Sequence, residues 1–469
     1  MRTHLRHRAT GRLVAGAAAL ALIGLGLSAC NTSDDATTDT PDESTSEATD
    51  QQTDTNENTD EADDAQTGEA VTLEFWDMAW GPAETYPAAA EALVDQFEAE
   101  NPGITVNYTQ KTWDNWYQTF AQAVGADSAP DVSTGGGFQP FGLQADADAI
   151  LPLNPLIEQW QSDGTADDFT EGMLDYYLDA DGNYLAVPWA TDIRVWFYRT
   201  DVLEAAGVDV PTTWEEFAAA CDTVHQADSS IYGVADGGTP HWTFAQGIAF
   251  GSGMFDEEGN AAINSPRELE ALEYIASMGE GGSGCINPTA TTFTQDEAIE
   301  MFNQGQAAFV MDSPSIAPRL SDESLDVVKV LDPPADDQGN KLGVYFVNGI
   351  MGYNSTEHPD EVMKFISFWS EHGRDLFLGG ASGVSPRTSI DSDPMFDDAP
   401  LYREAAEKWG APVGQPLYAL ASFGFAALNT IDGDTTMLDL ERTLFSGGDV
   451  AGAADTAQEK VQQFVDEGR

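Results

Sequence analysis

Polar and apolar positions along the chain switch repeatedly between a period of about two and a period of 3.6. "VTLEFWDMAW" (71–80) alternates β-branched and aromatic residues as a strand does, and "AAAEALVDQFEAE" (88–100) follows with Leu93, Val94 and Phe97 at helical spacing. "NPGITVNYTQ" predicts a turn and a second strand. "WDNWYQTFAQAVGADSAPDV" predicts a helix ending near Gly125 and a short strand at Asp131-Val132. Strand and helix alternate, which predicts an α/β fold with parallel pairing.

The pattern continues downstream. Tyr184 to Val187 and Val195 to Tyr198 read as strands flanking a turn at Pro188-Trp189. Thr213 and Glu216 have the Thr-x-x-Glu spacing of a capping box ahead of a helix. "SPRELEALEYIASM", "TQDEAIEMFNQG", "HPDEVMKFISFWSEHG" and "AGAADTAQEKVQQFV" read as helices, and "AAFVMD", "DVVKVLDPP" and "NGIMGYN" as strands. No repeat at solenoid or propeller period is visible. The body could be one large enzyme or two lobes, and propensity does not decide.

The first 29 residues have a different character. Basic "MRTHLRHRATGR" precedes an apolar or small run from Leu13 to Ala29, the order of a secretory signal. Cys30 follows directly, and then forty residues with fourteen acids and no base. That composition buries too little apolar surface to offset chain entropy and predicts a disordered, extended spacer over 30–70. No later apolar run approaches the roughly 20 residues that span a bilayer.

Outside leader and spacer, 66 acids face 15 bases, a net charge of −51. This charge repels nucleic acid and other polyanions, leaves neutral solutes as the easiest partners and suits a salt-rich habitat. Cys221 and Cys285 form an even pair in an exported chain, either as a disulfide or as two buried thiols. His225, His241, His358 and His372 are scattered and no C-x-x-C occurs, so no metal site and no cofactor are expected. Gly279-x-Gly281-x-x-Gly284 follows a helix instead of a strand and reads as a helix stop. A P-loop and a G-x-S-x-G elbow are both missing from the sequence. A secreted glycoside hydrolase remains the alternative, because two well-placed carboxylates suffice for it.

"LSAC" ending at Cys30 resembles the lipobox of bacterial lipoproteins, which implies cleavage after Ala29, acylation of Cys30 and attachment at the outer face of the cell membrane by lipid alone. "FEAENPGITVNY", "SAPDV", "ILPLNPLI", "GNYLAVPWATDIRVWFYRTDVLEAAGVDVPTTWEEF", "SPRELEALEYI", "FNQGQAAFVMDSPS" and "GVSPR", in this order, resemble the sugar-binding extracellular solute-binding proteins of ABC importers. The resemblance implies a two-lobed periplasmic-binding-protein (Venus-flytrap) fold with hinge strands. The N-terminal lobe would hold residues 71–188 and 333–386, and the C-terminal lobe 189–332 and 387–469. It further implies a monomeric, non-enzymatic receptor that closes on a sugar or related solute and delivers it to ABC permease subunits.

A sugar site needs polar side chains for hydroxyls and flat aromatic rings for the C–H face. "PWATDIRVW" concentrates Trp189, Asp192 and Arg194 beside the expected first crossover, and Asp192 matches a position where the family often carries a hydroxyl-gripping acid. An Asp192–Arg194 pair that merely fixes the hinge is the alternative. The other candidates stand on separate loops: Trp113, Phe138, His241, Trp242, Asp312, Asn348 and Phe423. Ser315 and Gly424 replace aromatics common in maltodextrin receptors, which argues against a malto-oligosaccharide.

Overall fold

In the computed structural model, which describes residues 70–179, 181–410, 413–421 and 424–468, ten strands form two sheets. The leader, Cys30, the acidic spacer and Phe423 lie outside the described residues. The first sheet contains β1 (Val71–Met78), β2 (Ile104–Lys111), β3 (Val132–Gly135), β4 (Val187–Ile193), and two strands from much later in the chain, β9 (Gly343–Gly352) and β10 (Gly414–Pro416). β1 lies parallel between β2 and β3, while β9 runs antiparallel to β3 and to β4. The second sheet has the order β6 (Tyr232–Ala235), β7 (Ala307–Asp312), β5 (Val195–Arg199), β8 (Val328–Val330).

Apolar periodicity explains the layers. Leu73 and Phe75 on β1 are fully buried, and Phe75 packs edge-on against Phe365 and Trp369 of the helix Pro359–His372, each 4.9 Å away. In the second lobe the helix Trp214–Ala227 turns Trp214, Phe217, Ala220, Cys221 and Val224 inward. Phe217 meets Trp196 of β5 at 4.9 Å. Cys221 is joined to Cys285, with Cα atoms 5.7 Å apart and both residues fully buried. Gly233 makes this approach possible, since a Cβ there would lie 2.2 Å from Cys221 Sγ.

Several local expectations shift. Pro188-Trp189 is not a turn: β4 runs through it, with a register irregularity between Pro188 and Ala190 where proline has no N–H to give the ladder. Thr213 does cap its helix through Glu216 N, but Glu216 reaches back to Thr212 N. The reciprocal box forms instead between Thr294 and Glu297.

Near the expected lobe boundaries the chain passes between the two sheets. β4 stays paired with β9 to Ile193, so the single residue Arg194 links the first sheet to the second. The return follows the turn at Asp336, which Arg267 still holds to the second lobe at 2.7 Å. Ser389 remains tied to Asp168 of the first lobe, and the helix Pro400–Trp409 then docks on the second lobe through Lys408 and Trp409 to the carbonyls of Val330 and Leu331. β10, within the span 387–469 expected in the C-terminal lobe, pairs with β9 of the first sheet.

Candidate functional site

A cavity of about 400 Å³ opens where β4 passes into β5. Its first-lobe wall is aromatic. Trp80 follows the end of β1, and Trp113 and Trp116 follow β2. Trp80 and Trp113 meet edge to face at 4.8 Å, and Trp113 and Trp116 at 5.9 Å. Trp113 stays 40% exposed although its Nε1 donates to Ala79 O at 2.9 Å, so an anchored side chain keeps part of its ring open at the cavity. Gly136 leaves room for this wall, because a Cβ there would come 2.6 Å from the Trp116 ring.

The polar part is centred on Arg194. Its guanidinium donates to Asp192 Oδ2 and lies 6.0 Å from the Phe346 ring. Burial raises the Asp192 carboxyl, Arg194 opposes that rise, and the charge of Asp312 adds to it. His241 is pushed well below the usual imidazole range by burial and by Arg194, so it is neutral at pH 7. Asp432, at the end of the helix Ala427–Asp432, is pushed up by burial to about 6 with Arg194 pulling the other way. Three polar atoms of lining residues are buried without a protein hydrogen-bond partner: Asp192 Oδ1, Arg194 Nε and Asn348 Nδ2. One is an acceptor and two are donors, a set that hydroxyls can satisfy because each both donates and accepts.

Of the residues expected at the site, Trp113, Asp192, Arg194, His241 and Asn348 line this cavity. The others pack behind it or elsewhere. Trp189 is buried against Trp80 at 5.4 Å and Trp369 at 6.1 Å. Phe138 is fully buried and backs Phe346 at 6.5 Å. Trp242 belongs to the second-lobe core, 5.0 Å from Trp196, with Nε1 donating to Gln246. The expected loop around it is a helix, His241–Ala249, whose buried residues run without a break from Trp242 and so hide the amphipathic period. Asp312 is buried in an ion pair with Arg319 at 3.2 Å. Phe423 is among the residues not described. Arg387, the arginine of "GVSPR", is buried over Phe169 at 4.3 Å and paired with Asp168 at 3.4 Å, away from the cavity.

Trp80, Trp116, Phe346 and Asp432 were not expected. The first two had a usable signal, as aromatics just past a strand end, while Phe346 stands two residues before Asn348, ahead of the strand expected there. Asp432 had none, since it looks like any polar residue at a helix end. Among the described residues no group of three or more His, Cys, Asp or Glu converges as a metal ion would require.

The family model of the bacterial extracellular solute-binding proteins matches residues 81–373. The Escherichia coli (strain K12) protein YcjN, named for an ABC transporter periplasmic-binding role, is 23% identical over 85% of this chain and 93% of its own. An arabinooligosaccharide-binding protein of Halalkalibacterium halodurans is 22% identical over 70% of this chain and 74% of its own. The crystal structure of a sugar transporter from Arthrobacter chlorophenolicus A6 with bound laminaribiose superimposes with a TM-score of 0.76 at 26% identity, covering 84% of this chain and 99% of that one.

Proposed function

The chain belongs to the bacterial extracellular solute-binding protein family, and from that membership we propose that it captures a sugar or related polyhydroxyl solute between its lobes and presents it to the permease of an ABC importer. The observation that carries the ligand class is the cavity itself. A pre-fixed indole wall faces a cluster whose unpaired atoms are one carboxylate oxygen and two N–H donors. Aromatic rings meet the weakly apolar face of a pyranose, and the polar atoms meet its hydroxyls. The sugars named for the relatives point the same way.

In this reading the two sheets are the cores of two lobes, with Arg194 at the first hinge crossing. Closure around such a crossing buries a ligand while changing few backbone torsions. The protein acts as a monomer and binds without turnover. Cys30 carries the acyl chains that hold it to the outer face of the membrane, with the acidic segment as spacer. No helix of the described residues is long and apolar enough to cross a membrane.

The test is a melting-temperature screen against neutral mono- and oligosaccharides, with chromatography of each hit after long incubation. A saccharide that raises the melting temperature by mass action and is recovered intact supports the receptor. Hydrolysed product would establish the glycosidase alternative, and a screen without a hit would overturn the sugar reading.

A further inference from the structure

The cavity contains two features that ordinarily hold anions, and each already has a partner within the protein. Arg194, the one arginine or lysine among the lining residues, donates to Asp192. The start of the helix His241–Ala249 faces the cavity through Thr239, Pro240 and His241. Helix N-termini attract anions, but here the Glu441 carboxyl group occupies that end: its Oε2 accepts from Thr243 N at 3.0 Å and Thr243 Oγ1 at 2.7 Å.

Asp432 stands in contrast. It lines the same cavity, its carboxyl group feels Arg194 electrostatically, and that group makes no hydrogen bond with the described residues. We propose that the cleft selects uncharged glycans over anionic ones, and that Asp432 is the residue that sets this selectivity. A uronate or sugar phosphate brought into the cavity meets this carboxylate, while the charge of the one guanidinium in the lining is already shared with Asp192. A neutral glycan instead offers Asp432 a hydroxyl donor. This inference rests on the sugar-receptor reading and adds the charge class of the ligand.

The experiment uses a neutral disaccharide that the screen identifies and its counterpart oxidised at C6 to the uronic acid, titrated calorimetrically at pH 7.5 and pH 5. Asp432 shares the cavity with Asp192, Arg194 and the neutral His241. Wild-type protein at pH 7.5 is expected to bind the neutral sugar about tenfold or more tightly than the acid, a difference of about 1.4 kcal/mol. That ratio should shrink at pH 5, where Asp432 takes up a proton while the uronate stays ionised. Asp432→Asn should bind the neutral sugar several-fold more weakly, with the ratio reduced to about threefold or less and insensitive to pH. A ratio near one at pH 7.5, or a pH response that survives in Asp432→Asn, overturns the proposal while leaving sugar binding intact. If the variant does not fold, the wild-type pH dependence decides: a ratio equal at both pH values rejects the role of Asp432. Absence of any saccharide binding rejects the sugar reading and this inference together.

Discussion

Trp80 hangs from Thr134: its Nε1 donates to Thr134 Oγ1 at 2.9 Å, and the hydroxyl also accepts Met78 N at 2.9 Å while giving its own proton to Asp77 Oδ1 at 2.6 Å. One side chain thus fixes an indole of the cavity wall and partners a carboxylate that is wholly buried. Thr134→Val should strand three polar groups at once. The expected loss is about 1–3 kcal/mol of stability, read by chemical denaturation, together with weaker solute binding as Trp80 loosens. Wild-type stability in the variant would mean that this hydroxyl is not the anchor of the wall.

The same carboxylate sets a pH dependence. Burial pushes Asp77, Asp236 and Glu268 each to about 7, and burial followed by the charge of Asp236 pushes Glu441 well above its usual range. In the unfolded chain these groups titrate near 4. A folded pKa above the unfolded one gives stability that is complete below about pH 4 and is lost as the pH rises through about 7. Asp168 runs the other way: against the upward push of burial, Ser389, Thr388 and Arg387 hold it low, so its contribution is lost only as the pH falls below about 4. Melting temperature should therefore be highest between about pH 4 and 6 and fall by several degrees towards pH 8. The fall should persist in about 1 M salt, which screens surface repulsion but not buried groups. A flat or rising profile from pH 5.5 to 8 at that salt would contradict it.

Much of the frame was legible in the sequence. β7 occupies the six residues "AAFVMD", and the helices after Ser265 and Thr294 start where their caps announce them. Legibility failed where a tertiary constraint replaced a local rule. β4 passes through Pro188 because β9 supplies partners on either side of an irregularity, which propensity cannot foresee. Asp192, Arg194, His241, Asn348 and Trp113 could be singled out because strand ends and crossovers concentrate polar and aromatic groups. Trp189, Phe138 and Trp242 carry the same local signal yet lie one layer deeper, since an aromatic in a strand or buried helix does not reveal which neighbour covers it.

The Cys221–Cys285 link closes a sequence separation of 64 residues. Loop-closure entropy at that length stabilises the folded chain by about 4 kcal/mol. Reduction in the presence of denaturant should lower the unfolding midpoint accordingly, and native protein should resist alkylation because both sulfurs are fully buried. Two alkylatable thiols in the native, unreduced protein would rule the link out.

Cys30→Ala should abolish acylation in the producing cell, with the folded body either released or stalled before processing. Metabolic labelling with a fatty acid reads this directly. Equal label in wild type and variant would sink the proposed anchor.

The proposed sugar site turns on Asp192, the cavity carboxylate with one oxygen on Arg194 and the other unpaired. Calorimetric titration of the best neutral saccharide into wild type and Asp192→Asn, beside melting of both ligand-free proteins, tests it most directly. A charge-assisted contact to hydroxyls predicts a loss of about 1.5–3 kcal/mol, roughly tenfold to somewhat over a hundredfold in Kd, in a variant that remains folded. Unchanged affinity in a fully folded Asp192→Asn protein would contradict the account and leave Asp192 as a hinge brace only.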